Sequence, residues 1–185
     1  MKQLIIIVAL IALTPFSVMA NEWSGSQYQL TSGISKKQTE NVTSKITFTY
    51  FGCHKSNTNQ YWLYGGPEWS KGDLWIHPNI GTVLGWQGFS DKPFAILALW
   101  AGNSLYGVDL SIDCESINGK QFDYYGYYAA NRSFGLVNGG LHLEEVNKAF
   151  QWGPDIGCKY GRVALLLRYF TGGGNHAVRL FVQLR

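Results

Sequence analysis

The feature that most constrains this chain is a two-residue alternation, repeated in short runs and punctuated by glycine. Lys45–Phe51 sets Ile46, Phe48 and Tyr50 against Lys45, Thr47 and Thr49. Leu105–Asp113 sets Tyr106, Val108, Leu110 and Ile112 against Asp109, Ser111 and Asp113. Arg162–Phe170 and His176–Leu184 alternate in the same way on either side of Thr171-Gly-Gly-Gly-Asn175. Successive side chains on a strand point to opposite faces, so a period of two marks a strand with one face buried. The apolar faces are assigned to the core and the polar faces to solvent. With 22 glycines and 15% aromatic residues, the composition favours strands and tight turns over helices.

Further strands are predicted at Gln27–Thr31, Gln60–Tyr64, Asp73–Ile76, Thr82–Trp86 and Gln121–Ala129. Gly65-Gly66-Pro67 and His77-Pro78-Asn79 separate them. Phe94–Ala101 is apolar on both faces, as a central strand would be. Leu141–Phe150 is the one helix candidate, with Leu143, Val146 and Phe150 on a stripe, and serves equally as a strand paired across Asn138-Gly139-Gly140. The expectation is an all-β, single-domain β-sandwich of about ten short antiparallel strands with one short helix. A transmembrane barrel is the weaker alternative, because its strands need polar inner faces and Phe94–Ala101 has none.

Residues 1–20 carry one early positive charge, the apolar run Leu4–Leu13 and small residues before Asn21, which is the pattern of a secretory signal peptide. Residues 21–185 then form the single β-sandwich domain, expected to be soluble and either secreted or periplasmic after cleavage near Ala20. A net charge of +3 is too small for a nucleic-acid binder. Export favours one disulfide among Cys53, Cys114 and Cys158. Cys114–Cys158 is the preferred pair, and the other two pairings stay open.

Three clusters are candidates for binding. On the strand around Gln121–Ala129, Tyr124 and Tyr128 share one face and Tyr125 and Tyr127 the other, so one set is left outside once the core is filled, and Tyr125 and Tyr127 are expected to be exposed and, with Trp69, to contact the ligand. Trp69 and Trp75 lie among glycines and Pro67, where a large ring is hard to bury. Arg162, Arg168, Arg179 and Arg185 form a basic face on the closing hairpin, with Leu166 and Phe181 between them. Such a face suits an anionic surface or simply solvates a sheet. The four histidines show no metal-ligand spacing, so neither a metal nor a cofactor is expected. Asp109, Asp113, Glu115 and Asp123 could supply a carboxylate pair for glycoside hydrolysis. No catalytic motif accompanies them, and the chain is not expected to be an enzyme.

The strand order resembles that of actinoporin cytolysins and the fruit-body lectins that share their sandwich. Glu40–Phe51 is similar to their opening strand, Phe94–Ile112 to their central hairpin, and the tyrosine-rich strand lies where that family grips phosphocholine headgroups. Val108–Lys120 also resembles aegerolysins. The resemblance implies a secreted recognition protein that binds a lipid headgroup or a glycan at a cell surface. Residues 21–39 depart from the family, being polar with Gly25 and Gly33, so no pore-forming helix is evident. The alternative is an exported module that binds a protein: an inhibitor, immunity protein or adhesin.

Overall fold

The computed structural model describes residues 25–54, 58–85, 93–118, 124–146, 149–172 and 175–184. The leader assigned to residues 1–20, as well as Asp123 and Arg185, lies outside them. Eleven strands follow in chain order: β1 (Gly25–Lys37), β2 (Val42–Cys53), β3 (Thr58–Lys71), β4 (Leu74–Leu84), β5 (Phe94–Leu105), β6 (Val108–Ile117), β7 (Tyr124–Phe134), β8 (Val137–Val146), β9 (Ala149–Tyr160), β10 (Val163–Gly172) and β11 (Asn175–Leu184). Each pairs antiparallel with its chain neighbour, and β1 pairs with β11, so one sheet closes into a barrel. An odd number of up-and-down strands leaves the first and last pointing the same way. The closing pair is accordingly parallel, from Gly25↔Ala177 to Ser32↔Leu184.

The expected sandwich is therefore corrected to a closed barrel, and the resemblance to actinoporins and aegerolysins fails with it. Two stacked sheets need interdigitating inner faces, whereas here a single sheet curls until its edges meet and no edge remains. The helix candidate is corrected as well. Leu141–Val146 belongs to β8 and Ala149-Phe150 opens β9, with Tyr125↔Val146 and Leu143↔Trp152 fixing the register. No helix occurs among the described residues.

The run predicted over Leu105–Asp113 is broken by a turn at Tyr106-Gly107 and begins only at Val108; elsewhere the alternation is present, but its polarity is inverted. On β6, Leu110 and Ile112 face out and Ser111, Asp113 and Glu115 face in. On the closing hairpin, Leu165, Leu167 and Tyr169 face out with Val178, Leu180 and Val182, while Arg168 and Arg179 stand opposite each other on the inner wall. Arg168 and Arg179 are thus not part of an outer basic face, and Arg162 sits in an exposed turn. Gly65-Gly66-Pro67 and His77-Pro78-Asn79 do not separate strands. They lie inside β3 and β4, where the ladder is interrupted between Gly65↔Ile80 and Trp69↔Ile76. Pro67 and Pro78 have no N–H to give to it. Pro154 marks a similar gap between Arg168↔Asp155 and Thr171↔Trp152.

One end of the barrel carries tight turns. At Tyr106-Gly107 both residues have positive φ, 53° and 77°, the conformation whose twist matches that of the flanking strands. Toward the other end, Val83, Ile96 and Ile117 pack with Tyr64 and Ala98 inside the barrel, and Trp62, Phe94 and Val146 lie against them. The apolar inner side of β5 belongs to this cluster. Its polar neighbours come from adjacent strands, Ala98 standing between Asn79 and Glu115. The inner surface of a barrel is polar collectively and not strand by strand, which is why β5 taken alone misled.

Cys114 and Cys158 are not paired, and Cys53 is a buried thiol. Cys114 faces out from β6 and Cys158 from β9. Three strand spacings, about 14 Å around the wall, separate them, against a Cα span of about 4.4–6.8 Å for a disulfide.

Candidate functional site

Among the described residues the sealed positions hold as many polar or charged side chains as apolar ones, including Glu115, His142, Glu144, Asp155 and Arg179. All five point into the barrel because each falls on the inner parity of its strand. Burying a charge is costly unless it is paired and hydrogen-bonded, and the lumen is wired accordingly. Arg179 on β11 donates through Nε to Gln27 Oε1 at 2.8 Å and through its two terminal nitrogens to Glu144 at 3.1 and 3.3 Å. Its guanidinium lies 4.5 Å above the Phe170 ring and 5.1 Å from that of Phe51, so cation–π attraction supplements the ion pair. Tyr125 donates to the same Glu144 at 2.8 Å.

A second group sits on β7–β10. His142 Nδ1 is 2.6 Å from Asp155 Oδ1, and Arg168 Nε approaches that oxygen at 3.6 Å. The Arg168 guanidinium lies 4.5 Å from the Tyr127 ring and 5.0 Å from that of Phe181. Tyr127 donates to Asp155 Oδ2 at 3.4 Å. A third group faces it from β3, β5 and β6. Tyr64 donates to both oxygens of Glu115, at 2.8 and 3.0 Å, and Trp100 Nε1 donates to Oε1 at 3.4 Å. Asp113, two residues away on the same face of β6, lies opposite Trp100 on one side and Tyr127 on the other. Lys45 and Glu68 form an ion pair nearer the tight-turn end.

These groups surround a cavity of about 770 Å³ lined by Gln60, Trp62, Tyr64, Trp100, Asp113, Glu115, Tyr125 and Tyr127 among others. It reaches Ser35, Ser70 and Gly72 at the tight-turn end. Trp75 lies against Gly102, where an added Cβ would stand 2.7 Å from its indole atoms, so glycine at 102 makes room for that ring in the wall.

No family model matches the chain, and no curated protein matches it. Among solved structures, the chain is similar to a mutant porin of Rh. blastica, with a TM-score of 0.48 and 11% identity over 79% of this chain and 51% of the porin. The chain thus spans about half the length of that porin.

The predicted ligand surface does not form. Tyr125 and Tyr127 do share a face, but it is the inner one, and Tyr127 is only 9% exposed. Tyr124 and Tyr128 stand on the outer wall, joined hydroxyl to hydroxyl at 2.9 Å over Gly126. Trp69 is outward on β3 and 40% exposed, while Trp75 faces the lumen. Leftover rings do not gather into one landing surface, and the expected recognition of a lipid headgroup, glycan or protein through them is withdrawn.

Of the four carboxylates singled out, Asp113 and Glu115 meet in the lumen, and Asp109 stays near the Ser104 hydroxyl close to a turn. His77, His142, Glu144, Asp155 and Gln60 were missed. Their signal was present in the alternation itself, since His142 and Glu144, or His77 and Asn79, interrupt apolar runs at every second position.

Proposed function

We propose that this chain is an integral β-barrel protein of an outer membrane, with a charged lumen that forms a vestibule and not a wide diffusion pore. The observation that carries the reading is the outer wall. An aliphatic band that includes Ile80, 67% exposed, and Leu97, 65% exposed, encircles the middle of the barrel. Tyr28, Tyr50, Tyr61, Phe150, Trp152 and Tyr169 ring one end, and Trp69, Phe134 and Tyr160 lie toward the other. In water such a surface would be a large liability. In a bilayer it is the expected arrangement, an apolar band between aromatic girdles. Strands of 10–14 residues are long enough for a tilted crossing, which takes about 9–11. A secretory leader at 1–20 supports the route, since such a barrel must first be exported.

The lumen favours a vestibule. The Val83–Ile96–Ile117 cluster fills one stretch of the interior, and in another the Arg179–Glu144 pair reaches from β11 to β8 while Arg168 and Asp155 pair along the wall beside it.

The test is refolding of residues 21–185 into phosphatidylcholine vesicles. Insertion should give a species that floats with the vesicles, resists external protease and changes gel mobility only on boiling. Leu97→Arg should lower insertion by about 2–4 kcal/mol, as a charge at the bilayer midplane does. A chain that stays monodisperse in detergent-free buffer, with Leu97→Arg indistinguishable from wild type, would refute the proposal.

A further inference from the structure

The charges that line the cavity do not balance. Four carboxylates border it: Glu68, Asp113, Glu115 and Glu144. Glu68 is paired with Lys45 and Glu144 with Arg179, and Arg168, the third cation on the cavity, is held by Asp155 outside it. Among the described residues Asp113 and Glu115 have no basic partner. Glu115 is 3% exposed, accepts from the neutral donors Tyr64 and Trp100, and shares a carboxyl–carboxylate hydrogen bond with Asp113. The Oδ1 atom of Asp113 is buried with no hydrogen-bond partner. The bond between them holds one proton, so the pair presents a single negative charge, and no cation answers that charge in this low-dielectric interior.

The walls narrow what can meet it. Trp62, Tyr64, Trp100, Tyr125 and Tyr127 surround the acids with ring faces and edges, surfaces that attract an organic cation and coordinate a metal poorly. No group of three His, Cys, Asp or Glu able to hold a metal ion occurs among the described residues, whereas Ca²⁺ requires about six to eight oxygens. On the same cavity lies Gln60, 1% exposed, whose Oε1 accepts from Trp62 at 3.1 Å. Its Nε2 is buried without a partner. An amide donor sealed in this way points to an acceptor supplied from outside, because such groups are otherwise satisfied. The volume of about 770 Å³ falls in the range of small-molecule sites, about 300–1,000 Å³.

We propose that the lumen binds an organic ammonium ion that also carries a hydrogen-bond acceptor, with Asp113 and Glu115 as its counter-charge, the tryptophan and tyrosine rings around its alkyl part, and Gln60 Nε2 donating to its acceptor. The ligand enters from the tight-turn end, past Ser35, Ser70 and Gly72. This goes beyond the membrane assignment and does not depend on it.

The experiment uses residues 21–185 folded in detergent micelles, so that failure to insert into vesicles leaves the measurement intact. Tryptophan fluorescence, to which Trp62, Trp75 and Trp100 of the lumen contribute, is titrated with 6-aminohexanamide, which has both the cation and the acceptor. Hexylammonium has only the cation, hexanamide only the acceptor, and CaCl₂ tests a metal site. Saturable binding is expected in the order 6-aminohexanamide, then hexylammonium, with hexanamide at least tenfold weaker than either. Asp113→Asn and Glu115→Gln should each weaken 6-aminohexanamide at least tenfold, and Gln60→Leu should bring it level with hexylammonium. The outward-facing Glu145→Gln should change nothing. Equal binding of hexanamide, displacement by Ca²⁺ at comparable concentration, or unchanged affinity in Asp113→Asn would each overturn the proposal. The comparison of the three amine and amide probes on the wild-type chain needs no variant to fold.

Discussion

At the scale of single residues, the most consequential side chain is Arg179. It joins β11 to β1 through Gln27 and to β8 through Glu144, and so bridges the parallel seam and the wall on the other side of β9 and β10. Arg179→Met would keep most of the volume and remove the charge, leaving Glu144 buried with Tyr125 as its remaining donor. Breaking one side of such a pair costs about 3–5 kcal/mol. The double change Arg179→Met with Glu144→Gln should recover a large part of that loss. Urea unfolding in micelles measures both, and equal stability of the single and double variants would contradict a coupled pair. The sequence showed Arg179 as a charge on an alternating strand. It could not show which face was inside, because the alternation is the same either way.

At the scale of elements, the strands were legible and their polarity was not. Ile46, Phe48 and Tyr50 opposite Lys45, Thr47 and Thr49 appear on β2 as read, as do Leu110 and Ile112 opposite Asp113 on β6. Prolines and glycines were read as strand boundaries because they are turn residues in most contexts. In β3, β4 and β9 they instead mark points where one backbone comes unusually close to another. At Gly153, an added Cβ would stand 1.7 Å from the Tyr169 carbonyl oxygen. Gly153→Val should therefore push β9 from β10 next to the His142–Asp155 contact and destabilise the barrel by about 2 kcal/mol or more. Faster backbone amide exchange at Tyr169 and Phe170 than at Leu165 and Leu167 would locate the damage. Uniform exchange along β10 would show that the glycine is dispensable.

At the scale of the whole molecule, eleven strands enclose an interior larger than that of an eight-strand barrel, whose side chains just fill it, and here part of the space remains a cavity. If the Val83–Ile96–Ile117 cluster and the Arg179–Glu144 pair obstruct it, planar-bilayer recordings should show little or no steady ion current through the wild-type barrel. Replacing Ile96 and Ile117 by Ala should raise the conductance several-fold. A large, stable conductance in the wild type would mean that the lumen is an open pore. The Cys114–Cys158 disulfide failed at this same scale. The expectation rested on export and on the cysteine count, yet both thiols face outward from strands three places apart, a separation no spacing in the chain reveals.

What the chain determined alone is local. The pleat imposes a period of two, and residues such as Ile112-Asp113-Cys114-Glu115 display it without reference to anything distant. Strand propensity is a property of neighbouring residues in the same sense. Whether the apolar face lies against a second sheet or against the surroundings is not local. It depends on β1 meeting β11, and so on contacts between residues as far apart as Gln27 and Arg179. Closure is what turned Asp113, Glu115, Glu144, Asp155 and Arg179 inward as a single group. It also sent the leucines and isoleucines outward, since a sheet without edges has only those two places to put its faces.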